Sequence, residues 1–216
     1  MNPPVNLSQV KVVSWDIDGT MYDLDTLISA FKRDLFRRML SRGWIRAWRD
    51  FFRLLRFKRF MDRIRKAAGD YRVPPVPDRD IIAQTQDEMY ARILPEIGPC
   101  DGVIGLMKWL QAHDIKQVAF SDYRPSTKLT ALGVNHFFDA IYAGEDLGFL
   151  KPAPPAFQAI LDAHDLSPPE LLHIGDRADT DGGATAEVGY QVALIGPQYD
   201  SASELLETLR AQADTT

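Results

Sequence analysis

The stretch "VVSWDIDGTMYD", residues 12–23, decides how the rest of the chain is interpreted. The run "VKVVSW" at 10–15 is rich in β-branched residues and predicts a buried strand. Asp16 and Asp18 follow this strand directly and are one isoleucine apart. Two ionised carboxylates at this spacing repel each other, so either a positive group lies beside them or one of them carries a proton.

Beyond residue 98 the pattern alternates between strand and helix. Short apolar runs predict strands at 116–121, 139–144, 171–175 and 190–196, and helical spacing predicts helices at 103–114, 126–133, 155–165, 184–189 and 201–213. Strands that alternate with helices are typical of a parallel sheet covered by helices on both faces. We therefore predict an α/β fold with a three-layer core.

The segment 24–98 interrupts this alternation immediately after the first strand. Its apolar residues recur three or four positions apart, for example at Trp44, Trp48, Phe51 and Leu55, which is the spacing of a helix face. We predict that it forms an inserted helical domain, and that residues 1–23 and 99–216 together form the α/β core.

The composition limits the functional classes. Cys100 is the only cysteine of the 216 residues, so no disulfide can form within the chain, which fits a reducing compartment. No run approaches the roughly 18 apolar residues that a membrane span requires. The first residues do not show the basic and then apolar pattern of a signal peptide, and a cytoplasmic location is the expectation.

Four polar groups of residues lie where predicted strands end. Because the carboxyl ends of parallel strands meet at one edge of a sheet, these groups are expected to converge there. Acidic oxygens together with a lysine suit a divalent cation, Mg²⁺ above all, and an anionic substrate. The four groups are "DIDGT" at 16–20, Ser121 with Asp122, Lys151 in "KP", and "GDRADTD" at 175–181.

The order of these motifs resembles the haloacid dehalogenase-like hydrolase superfamily. The motifs "DIDGT", a serine after an apolar strand, "KP" and "GDxxxxD" occur in sequence, with the helical insert after the first. The resemblance extends over about residues 10–196 and is to subfamily I, in which a helical C1 cap follows the first motif. It implies a Rossmann-like core and phosphatase-type chemistry.

The resemblance also implies catalytic roles. Asp16 is expected to attack phosphorus and to form an aspartyl-phosphate. Asp18 is expected to protonate the leaving oxygen and then to take a proton from water, starting from a protonated state with a raised pKa. Lys151 is expected to neutralise developing charge and to hold Asp16 in place.

Substrate and metal contacts are implied in the same way. Thr20, Ser121 and Lys151 are the expected substrate-binding residues: Ser121 would hydrogen-bond a phosphoryl oxygen, and Thr20 would orient its loop. The expected Mg²⁺ ligands are a carboxylate oxygen of Asp16, the backbone carbonyl of Asp18 and a carboxylate oxygen of Asp176. Asp181 is expected to bind the cation through water or to support the ligands without touching the cation.

Two residues bear on the subclass. Asp18 favours phosphoryl transfer, because dehalogenases of the family attack carbon and usually lack an acid at this position. Asp122 departs from the pattern, since many relatives have asparagine there. An acid that faced inward would repel a phosphoryl group, which leaves open how substrate is held near Ser121.

The helical insert is strongly basic. Residues 32–66 contain 14 Lys or Arg and three Asp, within a chain of net charge −5. Three interpretations remain open: a solvated outer face, a positive lid that attracts the substrate through outward arginines such as Arg46, Arg49 and Arg53, or a weak contact of residues 42–66 with an anionic surface. Aromatic residues at helical spacing favour a packed core, so no nucleic-acid partner is expected.

The sequence therefore predicts a Mg²⁺-dependent phosphatase that hydrolyses a small phosphorylated metabolite through an aspartyl-phosphate. A phosphomutase or other phosphoryl transferase, and a non-catalytic binding protein on the same scaffold, are the alternatives. His113, His136, His164 and His173 show no metal-ligand spacing; none is assigned to catalysis, and His173 is expected in the core. No motif encodes the substrate or the oligomeric state.

Overall fold

A computed structural model describes residues 4–40, 44–67, 69 and 71–214. Its centre is a five-stranded sheet in which all pairs of neighbouring strands are parallel, in the order β3-β2-β1-β4-β5. This confirms the predicted α/β fold. The strands are β1 (Val12–Trp15), β2 (Lys116–Ser121), β3 (Ala140–Ala143), β4 (Leu171–Gly175) and β5 (Gln191–Leu194).

Strand β1 is the centre of the sheet and is buried throughout. Trp15, its last residue, lies opposite Ala119 of β2 and Ile174 of β4. The backbone N–H of Asp16 still donates to the carbonyl of Ile174, at 2.8 Å. The register thus places the first aspartate at the carboxyl edge of the sheet, between the ends of its two neighbours.

Helices cover both faces of the sheet. Because side chains alternate along a strand, Val13 and Trp15 face one layer and Val12 faces the other. The first layer contains α4 (Val103–Ala112), α5 (Ser126–Ala131) and α9 (Ala202–Ala213); the second contains α7 (Pro154–Ala163). Two short helices, α6 (Gly144–Leu147) and α8 (Thr185–Val188), lie in connecting segments.

Among the described residues between β1 and α4, three long helices form the insert. They are α1 (Leu24–Met39), α2 (Trp44–Lys66) and α3 (Arg79–Ile97). Phe57, Met61 and Ile82 of the insert form a small apolar cluster that also contains Leu150 of the core. The insert is therefore packed against the core next to Lys151.

The helices of the protein are short or charged relative to a membrane span. None of those in residues 4–40, 44–67 and 71–214 is both long enough and apolar enough to cross a membrane.

Candidate active site

Asp16 lies in a tight cluster of polar side chains at the carboxyl edge of the sheet. The Lys151 ammonium donates to Asp16 Oδ1 at 2.5 Å and to Asp181 Oδ1 at 2.6 Å. The Thr20 hydroxyl donates to the other oxygen, Asp16 Oδ2, at 2.9 Å. All four side chains are buried. The structure thus brings together residues of the first, third and fourth motifs.

The Asp16 carboxyl is held in a strongly desolvated place. Burial raises its pKa to about 7, the Lys151 ammonium opposes this rise, and the charges of Asp181 and Asp18 add to it. One lysine shared between two carboxylates does not compensate their charge fully. A further cation near Asp16 would favour its ionised form.

Gly19 permits the turn that carries the chain away from β1. Its φ is +100°, a region that residues with a Cβ rarely adopt. A Cβ at this position would also lie 2.4 Å from Asp176 Oδ2, closer than contact distance allows. Glycine at this position therefore lets the first and fourth motifs approach each other.

Asp18 points to different partners from those of Asp16. Its carboxylate accepts hydrogen bonds from the Lys128 ammonium and from the Tyr22 hydroxyl, and the Ser121 hydroxyl lies 3.4 Å away. Lys128 is buried on α5 and also lies 4.8 Å from the centre of the Tyr90 ring. The pair thus joins the first motif to a helix that carries none of the four motifs.

The predicted raised pKa of Asp18 is wrong for this arrangement. Burial does raise the pKa of this carboxyl, but the Lys128 charge and the hydrogen bonds from Lys128 and Tyr22 outweigh it, so the pKa lies below its ordinary value. The expected causes of a raised pKa are the charge of the neighbouring carboxylate and partial burial. Lys128 and Tyr22 together outweigh burial because both contact the carboxylate directly.

Asp181 is surrounded by donors. Besides Lys151, the imidazole Nε2 of His173 lies 3.1 Å from Asp181 Oδ1, and the backbone N–H of Arg177 donates to Oδ2 at 3.0 Å. His173 is buried as predicted, its Nδ1 lies 3.0 Å from the Ser14 hydroxyl, and burial lowers its pKa. A neutral His173 that donates to Asp181 helps to orient the carboxylate that holds Lys151.

The acids at this edge outnumber the cations. Asp16, Asp176 and Asp181 each offer an oxygen, and these oxygens lie within 4.8 Å of one another. The ion pairs join Lys128 to Asp18, Lys151 to Asp16 and Asp181, and Arg65 to Asp122. Asp176 is left without an ion pair among the described residues, and burial followed by the Asp181 charge raises its pKa to about 6. This donor set fits a divalent cation with oxygen ligands.

A comparison with protein families identifies the chain. The sequence model described as "Hydrolase: haloacid dehalogenase-like hydrolase" matches residues 10–189, which include all four motifs and the insert. The protein is a haloacid dehalogenase-like hydrolase. The predicted family and the prediction of a hydrolytic enzyme are confirmed.

Relatives of this hydrolase cover most of its length. The glyceraldehyde 3-phosphate phosphatase of Methanopyrus kandleri is 22% identical over 184 residues, 80% of this chain and 78% of the relative. The protein of the same name from Methanocaldococcus jannaschii is 24% identical over 83% and 82% of the two chains. The hydrolase YfnB of Bacillus subtilis, solved with magnesium bound, superposes with a TM-score of 0.67 over 94% of this chain and 99% of its own, at 18% identity.

In this hydrolase an arginine of the insert neutralises Asp122. The Arg65 guanidinium of α2 pairs with Asp122 Oδ2, and Asp122 Oδ1 accepts from the backbone N–H of Lys151 at 2.7 Å. Asp122 is buried, so its charge would be costly without these partners. Arg65 Nε is buried and has no hydrogen-bond partner among the described residues. The residue that departed from the family pattern therefore binds the insert to the core.

Sequence reasoning missed Lys128 and Arg65. Lys128 is the one lysine in the helix that follows the second motif, and this position in the sequence was a usable signal. Arg65 is one of 14 basic residues in 32–66, and nothing in the sequence distinguishes it from the others.

Two of the three arginines expected to point outward contact α3. Arg46 pairs with Glu88 of α3 at 2.8 Å, and Arg53 donates to the Thr85 hydroxyl at 3.3 Å. Arg46 and Arg49 are 59% and 63% exposed, as expected, whereas Arg53 is only 26% exposed. Two of the basic residues of the insert thus hold α2 to α3.

A cavity of about 490 Å³ lies between the insert and the edge of the sheet. One of its walls is polar and contains the first, second, third and fourth motifs. The other wall is formed by α1, α2 and α3 and is mainly apolar. The volume lies within the range of small-molecule sites. The predicted catalytic residues therefore face a space that can hold an organic molecule.

Proposed function

We propose that this hydrolase is a Mg²⁺-dependent phosphatase in which residues 24–98 act as a cap domain over the core of residues 1–23 and 99–216. The observation that carries the proposal is the Asp16 carboxylate, held by Lys151 and Thr20 inside an acidic edge that faces the cavity. The two curated relatives named as phosphatases support the same reaction class.

Asp16 is the proposed nucleophile. One of its oxygens bonds to phosphorus as the bond from phosphorus to the substrate oxygen breaks, which gives an aspartyl-phosphate and an alcohol. Water then attacks the phosphorus, inorganic phosphate leaves, and the carboxylate is restored. Lys151, 2.5 Å from Asp16 Oδ1, keeps the carboxylate oriented and offsets the charge that gathers on the phosphoryl oxygens.

Asp18 is the proposed acid and base, and Lys128 maintains its orientation. The leaving oxygen takes a proton from the carboxyl of Asp18, and the attacking water later returns one. In the structure Asp18 accepts from the Lys128 ammonium and the Tyr22 hydroxyl. Burial raises the pKa of its carboxyl, but these two partners outweigh burial and lower it. Asp18 must therefore take a proton from bulk water before the first step, while its carboxyl stays in contact with the buried Lys128 ammonium.

Ser121 and Thr20 are proposed to position the phosphoryl group and the loop of the first motif. The Ser121 hydroxyl is buried at the end of β2, close to Asp18, where a phosphoryl oxygen can accept from it. Thr20 keeps its contact with Asp16, so its effect on substrate is indirect.

The residues that would hold Mg²⁺ are Asp16 and Asp176 through carboxylate oxygens and Asp18 through its backbone carbonyl. Asp181 is occupied by Lys151, His173 and backbone N–H groups, and we propose that it supports the site without direct ligation. The cation supplies positive charge next to the transferred phosphoryl group.

Turnover of p-nitrophenyl phosphate, with and without Mg²⁺, tests the proposal. We expect release of phosphate that requires Mg²⁺ and is lost in Asp16→Asn. Isolation of a phosphorylated Asp16 by mass spectrometry after a rapid quench would establish the intermediate. A phosphomutase would instead transfer the group to an added sugar phosphate faster than to water. Absence of any turnover would favour the alternative that this protein binds a ligand on the same scaffold without catalysis.

A further inference from the structure

The wall of the cavity that faces the catalytic edge is apolar. Nine of the described residues that line the cavity are leucine, isoleucine, phenylalanine or methionine, and all nine belong to the insert. Four come from α1 and four from α2; among them are Leu27, Ile28, Phe31, Phe51 and Leu54. The cavity therefore has two different walls. The charged wall would contact the phosphoryl group, and the apolar wall would contact the rest of the substrate.

The polar side chains that the insert contributes to the cavity are mostly engaged within the protein. Lys58 pairs with Asp62 at 3.0 Å, and the Gln86 carbonyl accepts from Arg79 at 3.1 Å. Arg65 pairs with Asp122, and its unpartnered Nε belongs to that same guanidinium at the polar wall. Hydroxyl groups on the substrate body would find few free partners in this part of the insert.

The apolar wall continues to the protein surface. Phe31 and Phe51 in the cavity stack with ring centres 6.5 Å apart, and Phe51 meets the edge of Trp48 at 6.1 Å. Trp48 stacks in turn on Phe52, which is 51% exposed. Ile28, at 46% exposure, lies at the open side of the cavity. An elongated apolar group could therefore lie along this wall toward solvent.

We infer that the substrate is a phosphate monoester whose organic part is mainly hydrocarbon, an alkyl, prenyl or aryl chain rather than a short polyol. The inference rests on the proposed phosphatase function. Burial of apolar surface would bind the body of such a substrate, while the charged edge would bind its phosphate. A triose phosphate, the substrate named for two relatives, would leave most of this wall uncovered.

A series of n-alkyl phosphates tests the inference. Ethyl, butyl, hexyl and octyl phosphate share leaving-group chemistry, so differences in kcat/KM report contacts of the chain. Full burial is worth about fourfold per methylene; because the wall is partly exposed, we expect a total rise of at least about tenfold from ethyl to octyl phosphate. A smaller rise, or a higher kcat/KM for glyceraldehyde 3-phosphate than for octyl phosphate, would overturn it.

Two matched variants locate the effect. Ile28→Ser alters the open end of the apolar wall, and Ile104→Ser alters an isoleucine of similar exposure on α4, outside the cavity. We expect the octyl-to-ethyl ratio of kcat/KM to fall at least threefold in Ile28→Ser and to stay at the wild-type value in Ile104→Ser. Equal ratios in the two variants would show that the chain does not use this wall.

Two further measurements separate the possible outcomes. If p-nitrophenyl phosphate is turned over with dependence on Asp16 while the alkyl series is flat, the substrate inference fails and the phosphatase function stands. If p-nitrophenyl phosphate is not turned over at all, the phosphatase function itself fails. Phosphatidic acid in phosphatidylcholine vesicles, compared with octyl phosphate below its micelle concentration, distinguishes a membrane source of the hydrophobic phosphate from a soluble one.

Discussion

The catalytic edge of the sheet and the basic surface of the insert use charge in opposite ways. At the edge, buried acids are in excess, and each cation has a specific acidic partner, such as Lys151 between Asp16 and Asp181. On α2, cations are in excess and mostly exposed, and several share one acid: Arg46, Arg49 and Arg53 all lie within 4.0 Å of Asp50.

The difference follows from burial. Charges taken out of water require close partners, so the loss of one group at the edge should have a large and local effect. Exposed charges are screened by solvent and salt, so the loss of one arginine on the insert should have a small effect. Arg65 belongs to both regions, because its backbone lies in the insert and its guanidinium pairs with the buried Asp122 of the core.

The largest expected effect comes from the nucleophile. Asp16→Asn keeps the shape of the side chain but cannot attack phosphorus, so we expect kcat to fall by roughly the 10⁶-fold seen when a nucleophile is removed. Steady-state hydrolysis of p-nitrophenyl phosphate measures it. Asp179→Asn is the matched control, since Asp179 lies in the fourth motif but is 69% exposed. Retention of a tenth of the activity would make the assignment wrong.

Loss of Asp18 or of its partner should have the next largest effect. We expect Asp18→Asn to lower kcat by about 10²–10⁴-fold, the usual range for proton transfer. The loss should be smaller for substrates with good leaving groups, which need less protonation. Equal losses for p-nitrophenyl phosphate and an alkyl phosphate, with phosphorylation shown to limit both, would contradict the acid role.

Lys128→Met should change the pH dependence. Acceptance of a proton from water requires ionised Asp18, so activity is lost as the pH falls through the pKa of this carboxyl. The Lys128 charge lowers that pKa, and without it burial would raise it. We therefore expect the acid limb of the kcat profile to move to higher pH. The exposed Lys108→Met is the control, and an unshifted limb would show that Lys128 does not act through Asp18.

The pair that joins the two regions should have an intermediate effect. Arg65→Gln leaves the Asp122 charge without its guanidinium, and we expect kcat/KM to fall about tenfold, which corresponds to about 1.4 kcal/mol. Asp122→Asn keeps an acceptor for the Lys151 N–H, so the double variant should recover most of the loss. Additive losses in a double-mutant cycle would mean that the two side chains act separately.

The smallest effect is expected on the exposed face of the insert. Replacement of Arg49, Arg56 and Arg59 by Gln should lower kcat/KM by only about two- to fivefold at low salt, and the difference should vanish at high salt. The control is Arg46→Gln with Arg53→Gln, which should lower the Tm instead, because these arginines bind α3.

Two results would decide among the interpretations of this face. A kcat/KM of the wild type that does not change with salt would exclude attraction of the substrate. Loss of co-sedimentation with anionic liposomes in the triple variant, with unchanged kinetics, would instead favour contact with an anionic surface.

The sequence by itself determined the strands, the order of the motifs and the position of the helical insert. These features depend on local pattern: β-branched runs, helical spacing, and glycine or proline at turns. The five predicted strands agree with those of the structure to within two residues at each end. Asp16, Thr20, Lys151 and Asp181 could be named in advance because each closely follows a predicted strand or lies in a motif.

Only the tertiary structure decided which charges meet. Lys128 reaches Asp18 across 110 residues of sequence, and Arg65 reaches Asp122 across 57. His173 and Asp181 are only eight residues apart, yet their contact depends on the way the chain turns after β4. The apolar wall likewise exists only because three helices place one face each over the edge of the sheet. Such contacts depend on distances between elements, and a one-dimensional pattern does not contain these distances. The contacts determine the pKa of Asp18 and the shape of the cavity.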